Sequence, residues 1–136
     1  MKNSPNLTQA VPFFNVRDIQ ASLRFYVAGL GFEKKLEWVP DGRLRWCSLT
    51  RGPVSVMLQE YLPSHLPAEK LGVGISICIF CEDAFALYRE FTARGVAVSK
   101  PFVGNGLWVT SVTDPDGYRL DFESPTDAPE ESEYTE

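Results

Sequence analysis

The clearest pattern of apolar and polar positions lies near the end of the chain, at residues 118–123. Three apolar side chains alternate there with three charged ones: Tyr118, Leu120 and Phe122 with Arg119, Asp121 and Glu123. A period of two predicts a strand with one apolar and one polar face. The preceding residues 114–117 read DPDG and predict a tight turn, so the strand is half of a hairpin.

The same reading divides the chain into two similar series of elements. The first series is a strand at 10–16, a helix capped by Asp18, and strands at 32–39, 43–50 and 54–60. The second is a strand at 73–81, a helix capped by Glu82 or Asp83, and strands at 96–100, 107–113 and 118–123. Residues 16–19 and 81–84 correspond. This repetition predicts an α+β fold in which two tandem βαβββ modules form a curved sheet around a ligand cleft.

Composition sets the boundaries of these modules. We expect a flexible N-terminus at 1–8, a first module at 9–60, a connector at 61–72 and a second module at 73–123. Residues 124–136 form a tail that holds five of the 18 acidic residues and none of the 13 basic ones. This tail is predicted to be acidic and disordered. Without it the body is formally neutral, which gives no support to nucleic-acid binding.

Other sequence features indicate a soluble chain with free thiols. No apolar stretch approaches membrane-spanning length and no signal-peptide pattern precedes the first module, so we expect a cytoplasmic protein that does not bind membranes. The three cysteines are Cys47, Cys78 and Cys81. Cys78 and Cys81 lie three apart within one predicted strand, which points them to opposite faces and favours two small side chains over a zinc or redox pair.

Three segments, at 15–32, 81–96 and 114–122, carry a family resemblance. They read NVRDIQASLRFYVAGLGF, CEDAFALYREFTARGV and DPDGYRLDF. In this order and spacing they resemble the vicinal oxygen chelate superfamily, which includes glyoxalase I, bleomycin resistance proteins and ring-cleaving dioxygenases. The resemblance implies a cleft formed by both modules and a homodimer.

The resemblance also implies four positions at which the metal enzymes of this superfamily place ligands. In this chain they hold Val11, Met57, Ser76 and Asp121. Only Asp121 offers a good donor, whereas Zn²⁺, Ni²⁺ or Fe²⁺ needs three or four His, Glu or Asp ligands. The only histidine, His65, lies in the connector. We therefore expect a metal-free member with no cofactor.

Strand alternation then assigns a cleft side that mixes aromatic, thioether and polar groups, as small-molecule sites do. Two questions stay open. Trp38, Trp46 and Trp108 can each line the cleft or fill the core. Asp121 can contact a ligand, or it can simply pair with Arg119, Arg43 or Arg45. The predicted ligand-binding residues are Phe13, Asn15, Trp46, Met57, Gln59, Ser76, Cys78, Trp108 and Asp121.

These residues favour a glyoxalase/bleomycin resistance-like protein that binds a small amphipathic or aromatic molecule in a metal-free cleft. No catalytic residue is assigned. The alternative is a metal-dependent lyase or isomerase, or an extradiol dioxygenase, of the same superfamily. A purely structural interaction domain is the third possibility.

Overall fold

A computed structural model describes residues 6–135, and its first module contains a strand, a helix and three further strands. These elements are β1 (Phe13–Val16), α1 (Ile19–Leu23), β2 (Glu33–Trp38), β3 (Trp46–Arg51) and β4 (Val54–Glu60). Asp18 caps α1, as predicted, by accepting hydrogen bonds from the N–H groups of Gln20 and Ala21. The helix continues as a π-helical turn at Arg24–Gly29, in which Tyr26 is fully buried.

The second module repeats this order. Its elements are β5 (Ser76–Phe80), α2 (Ala84–Ala93), β6 (Phe102–Gly104), β7 (Leu107–Thr113) and β8 (Arg119–Pro125). The two sheets have the corresponding strand orders β1-β4-β3-β2 and β5-β8-β7-β6. In each sheet the first strand lies parallel to the last strand of its module. The predicted fold of two tandem βαβββ modules is therefore confirmed. Within residues 6–135, no helix has the length and hydropathy that crossing a membrane requires.

The DPDG turn has the predicted chemistry. One carboxylate oxygen of Asp114 accepts hydrogen bonds from the N–H groups of Asp116 at 2.9 Å, Gly117 at 3.0 Å and Tyr118 at 2.9 Å. Gly117 has a φ of 108°, where a side chain is strained. The other carboxylate oxygen of Asp114 accepts a hydrogen bond from the Tyr26 hydroxyl at 2.9 Å. The turn thus connects the second module to the helix of the first.

The predicted strand at 96–100 is wrong, because the sheet uses Phe102–Gly104 instead. The reason is the turn that follows. Asn105 and Gly106 both have positive φ values, of 54° and 73°, and close a two-residue hairpin in which Gly104 pairs with Leu107. Such a turn forces the residues immediately before it into the ladder. Val96 and Val98 pack against the core from an irregular segment.

The tail also differs from the prediction of disorder. β8 extends to Pro125, and the residues beyond it return along the edge of β6. Val103 donates a hydrogen bond to the Ser132 carbonyl at 2.9 Å and accepts one from the Glu131 N–H at 3.0 Å. The tail thereby satisfies backbone groups that an edge strand leaves unpaired. Of the predicted flexible N-terminus, residues 1–5 lie outside the described residues, as does residue 136 of the tail.

The two modules share one hydrophobic core on the side of their helices. Phe14 of β1 stacks on Tyr118 with ring centroids 4.4 Å apart, and Phe91 of α2 packs edge-on against Phe122 at 5.1 Å. The apolar sides of β1, β4 and β8 face this core, as the alternation predicted. Among residues 6–135, no helix covers the opposite side of either sheet. The candidate site lies on these two helix-free sheet surfaces.

Candidate functional site

Each sheet has one face that no helix covers, and these faces differ in chemistry. We call the first "face 1"; its side chains come from the first module, at Phe13, Asn15, Leu36, Trp38, Trp46, Ser48, Ser55, Met57 and Gln59. We call the second "face 2"; its side chains come from the second module, at Ser76, Cys78, Phe80, Val109, Ser111, Arg119, Asp121 and Glu123. Thr50 and Glu33 continue face 1 towards its end, where Glu33 of the edge strand β2 is its charged side chain, whereas face 2 holds three charged side chains.

Strand pairing brings five of the predicted ligand-binding residues together on face 1. Phe13 lies opposite Met57, and Asn15 lies opposite Gln59, across the parallel pair of β1 and β4. Gln59 also lies opposite Trp46 across the antiparallel pair of β3 and β4. Since residues paired across a ladder share a face, these side chains form one continuous surface.

Several apolar side chains of face 1 are unusually open to solvent. Phe13 is 45% exposed, Trp38 is 56% exposed and Leu36 is 65% exposed. Trp38 lies opposite Trp46 in the pairing of β2 with β3. Contiguous exposed apolar residues on a folded domain indicate a surface that meets a ligand or another protein. Trp38, for which packing and ligand contact were both open, therefore belongs with this surface.

Asp121 is the centre of face 2, and its carboxylate is paired. The residue is only 7% exposed. One carboxylate oxygen accepts hydrogen bonds from the Ser111 hydroxyl at 2.6 Å and from Nε of Arg119 at 2.9 Å. Arg119 also donates to the Ser111 oxygen at 3.1 Å, which closes a three-residue network. Arg119 is thus the partner among the three predicted arginines. Arg43 and Arg45 instead bind Glu60.

Two further donors lie beside Asp121. Cys78 is opposite Asp121 in the parallel pairing of β5 with β8, and Glu123 follows two residues later on the same face. One donor atom from each of Cys78, Asp121 and Glu123 lies within 4.8 Å of the others. Partial desolvation and the charges of Glu123 and Asp121 raise the pKa of the Cys78 thiol, which disfavours the thiolate that would bind a metal.

The four metal-ligand positions implied by the family do not fit a metal. Val11 carries no donor atom, Met57 offers a thioether and Ser76 a hydroxyl, which are poor ligands for Zn²⁺, Ni²⁺ or Fe²⁺. The fourth position, Asp121, already accepts two hydrogen bonds, one of them from a guanidinium. The structure does bring Cys78 and Glu123 to this carboxylate, although neither stands at a family ligand position.

Trp108 lies on the side of its strand that faces α2. In the hairpin of β7 and β8, Trp108 pairs with Ser124, and the even-numbered residues Thr110 and Val112 pair with Phe122 and Leu120. The indole packs against Phe85 of α2 with ring centroids 4.6 Å apart. Trp108 therefore belongs to the helix side, which favours packing, one of the two alternatives that the sequence had left open, over ligand contact.

In a single chain, the predicted residues lie on two separate surfaces. A groove of about 590 Å³ lies between residues 9–12, the start of β4 and strand β5. Of the nine predicted ligand-binding residues, only Ser76 and Cys78 line it. The reason is the shared core: because the modules pack through their helix sides, faces 1 and 2 turn outward.

Sequence reasoning placed Glu123 on the same face as Asp121 but missed Ser111 as its neighbour. The register of the DPDG turn was sufficient to place this residue. A DPDG turn that pairs Thr113 with Arg119 also pairs Ser111 with Asp121 and Trp108 with Ser124. Applying the turn register to the preceding strand would have included Ser111 and excluded Trp108.

Comparison with known proteins agrees with this architecture. A family model described as the glyoxalase/bleomycin resistance protein/dioxygenase superfamily matches residues 8–122. No curated protein sequence was found to match the chain.

Several solved structures share the fold at low sequence identity. A bleomycin resistance determinant encoded on the transposon Tn5 is 23% identical, with a TM-score of 0.70 over 90% of this chain and 100% of that one. A bleomycin-binding protein complexed with bleomycin is also 23% identical, with a TM-score of 0.69 over 87% of this chain and 98% of that one. The antibiotic-binding protein TnmS3 from Streptomyces sp. CB03234 is 23% identical, with a TM-score of 0.66 over 88% and 98%.

Proposed function

Because the chain belongs to the glyoxalase/bleomycin resistance protein/dioxygenase superfamily, we propose that it binds a small amphipathic or aromatic molecule in a metal-free cleft. The observation that carries this proposal is the pairing of Asp121. Its carboxylate binds Ser111 and Arg119, while the other three family ligand positions hold Val11, Met57 and Ser76. Asp121 then serves as a fixed polar anchor for a ligand instead of a metal ligand.

The cleft is proposed to form between two copies of the chain. Face 1 of one copy would lie opposite face 2 of its partner, and a two-fold axis would generate two equivalent clefts. The exposed apolar residues support this arrangement. Trp38 on face 1 is 56% exposed and Phe80 on face 2 is 72% exposed, and an association that covers them removes apolar surface from water.

The two faces together define the kind of ligand. Face 1 supplies flat apolar walls from Phe13 and Trp46 and an amide at Gln59. Face 2 supplies the carboxylates of Asp121 and Glu123 and the guanidinium of Arg119. A molecule that satisfies both is amphipathic, with a ring system for the walls and polar groups for the opposite side. The names of the structural neighbours, which include bleomycin-binding and antibiotic-binding proteins, agree with this class.

The proposal is tested by saturation-transfer NMR with bleomycin and a set of aromatic fragments. Wild-type protein is measured with and without EDTA, beside Trp46→Ala. We expect binding that persists in EDTA and weakens about fivefold or more in Trp46→Ala, since an aromatic contact in a site is worth about 1–3 kcal/mol. Binding that disappears with EDTA, or an affinity that is unchanged in Trp46→Ala, contradicts a metal-free aromatic cleft.

A second candidate is a metal-dependent lyase, isomerase or extradiol dioxygenase of the same superfamily. The cluster of Cys78, Asp121 and Glu123 is the observation in its favour. Elemental analysis of protein purified without a histidine tag or chelator separates the two candidates. Near one equivalent of metal per chain, lost in Cys78→Ser and in Asp121→Asn, supports the enzyme; metal far below one equivalent supports the binding protein.

A further inference from the structure

A second groove lies between the modules on the side of α2 and shares only Phe80 with faces 1 and 2. Its volume is about 530 Å³, within the usual range for small-molecule sites. The turn between β3 and β4 forms one wall, and the beginning of α2 forms the other. None of the nine predicted ligand-binding residues lines it. The groove is therefore distinct from the ligand-binding residues proposed above, although its Phe80 also belongs to face 2.

The floor of this groove is apolar and is continuous with the core. It is formed by Phe32, Val54, Ile79, Leu87 and Phe122. Three of these are almost fully buried, with exposures of 2% for Phe32, 8% for Ile79 and 4% for Phe122. Phe80, which is 72% exposed, stands at the opening. The floor thus offers a hydrophobic surface, and Phe80 a ring that can cover a bound molecule.

An ion pair links the two walls at one end and fixes their separation. Arg51 of β3 donates two parallel hydrogen bonds to Glu90 of α2, each 2.8 Å long. Arg51 also donates to the Leu30 carbonyl at 2.7 Å, and Glu90 is bound by Arg94 as well. A bidentate pair with these additional partners fixes the distance between the walls. The groove is consequently framed by contacts that do not depend on a ligand.

The other end of the groove is acidic. Glu82 and Asp83 lie there, and Asp83 uses one carboxylate oxygen to cap α2 through the N–H of Ala86 at 3.1 Å. In the part of the chain that the structure describes, neither Glu82 nor Asp83 forms an ion pair. The only lining arginine, Arg51, is committed to Glu90. The local charge is therefore negative beside an apolar floor.

We propose that this groove binds a small amphipathic cation. Its apolar body lies on the floor between Val54 and Leu87, and its ammonium group lies at Glu82 and Asp83. The charge of the two carboxylates selects the cation, while burial of the apolar body provides most of the affinity. The groove is a second binding site, so its occupancy neither requires nor excludes a ligand on faces 1 and 2.

The test uses three probes that share one apolar body and differ in charge. They are 4-phenylbutylamine, 4-phenylbutan-1-ol and 4-phenylbutanoate, each titrated into the full ¹⁵N-labelled chain at millimolar concentrations. We expect the amine to shift the amide signals of Cys81, Glu82 and Leu87, the alcohol to bind several-fold more weakly, and the acid to bind weakest. High salt should reduce the difference between amine and alcohol, because it screens exposed charges.

Variants assign the binding to this groove. Glu82→Gln with Asp83→Asn removes both charges while asparagine keeps the helix cap, and should weaken the amine about three- to tenfold with little change for the alcohol. Ala86→Phe fills the groove from the exposed side of α2 and should abolish binding of both probes. Glu69→Gln, which removes a carboxylate from the connector, is the matched control and should change nothing.

Three results would overturn the proposal. The first is equal affinity for the amine and the alcohol, which would show that the two carboxylates do not select a cation. The second is amine-induced shifts confined to face 1 or face 2. The third is a set of groove amides whose signals move on dilution of the protein alone, which would show that a second copy of the chain covers the groove.

Discussion

Faces 1 and 2 occupy the same position in two copies of one module, yet their chemistry differs. Met57 of β4 and Asp121 of β8 are equivalent: each lies opposite a serine of the neighbouring strand, Ser48 and Ser111 respectively. Beside Met57, two positions earlier, stands Ser55, whereas beside Asp121 stands Arg119. One backbone arrangement therefore carries a thioether among neutral side chains in one module and a paired carboxylate in the other.

The comparison shows where the chemistry of this chain resides. The register of the strands places a side chain, but its neighbours decide whether a charge is tolerated at that place. Asp121 is only 7% exposed and is stable there because Ser111 and Arg119 satisfy it. A ligand that touches both faces meets apolar walls on one side and fixed charges on the other.

The largest effect is expected from placing the charge on the wrong face. Met57→Asp puts a carboxylate on face 1 without an arginine beside it, and should lower the free energy of unfolding by about 2 kcal/mol. Adding Ser55→Arg rebuilds the arrangement around Asp121, with Ser48 already in place, and should recover about half of the loss. Urea denaturation measures both. If Ser55→Arg recovers nothing, the two faces are not equivalent in the way described.

Removing the charge from face 2 should have a smaller effect. In Asp121→Asn the hydrogen bond to Ser111 can remain, whereas the charged bond from Arg119 is lost, and the half-exposed guanidinium is rehydrated. We expect about 1 kcal/mol less stability in urea denaturation. The control is Met57→Leu on face 1, which should be nearly neutral. An equal loss of unfolding free energy in Met57→Leu and Asp121→Asn would show that the pairing of Asp121 does not stabilise the fold beyond ordinary side-chain packing.

A related effect concerns the ion pair that fixes the modules relative to each other. Hydrogen bonding to Arg51, with its charge and that of Arg94, lowers the pKa of Glu90 below its usual value. A carboxylate whose folded-state pKa is lowered stabilises the fold above its unfolded pKa of about 4.3, and this contribution is lost as the pH falls through the folded value.

Wild-type protein should therefore exceed Glu90→Gln in stability by about 0.5–1 kcal/mol at neutral pH, a modest figure because both side chains are partly exposed to solvent. The difference should vanish at acidic pH. Thermal unfolding at a series of pH values measures it, with Glu69→Gln as the control. A difference that grows on acidification has the wrong sign for this ion pair.

The smallest effect concerns the cysteines of the two modules. Cys47 of β3 is buried, which raises its pKa to about 11, whereas Cys78 is exposed on face 2. In a Cys81→Ser background, a thiol reagent at mildly alkaline pH should label Cys78 in the folded protein and Cys47 only after unfolding. Glu123→Gln removes a charge that raises the pKa of Cys78, so labelling should accelerate about two- to threefold. An unchanged rate would mean that Glu123 does not act on this thiol.

Local patterns were sufficient to predict most of the fold and part of the site. The Asp18 cap, the DPDG turn and the apolar sides of β1, β4 and β8 follow from local rules, and each is present. The position of Trp108 was left open between cleft and core because its strand was read without the turn register. β6 was misplaced because the Asn105-Gly106 turn signal was overlooked.

The tail and the groove beside α2 could not be predicted in the same way. The path of residues 126–135 depends on unpaired groups of β6, which becomes an edge only once the sheet has formed. The groove depends on contacts between Arg51 and Glu90, which are 39 residues apart. Neither feature follows from periodicity within a single element.

The central claim is that faces 1 and 2 contribute to one metal-free site. Its most direct test takes the tightest aromatic fragment from the NMR screen and measures its Kd by calorimetry in EDTA with wild-type protein, Trp46→Ala, Asp121→Asn and Trp108→Phe. The account predicts weaker binding in both Trp46→Ala and Asp121→Asn and unchanged binding in Trp108→Phe. Binding that depends on only one of the two faces would contradict it.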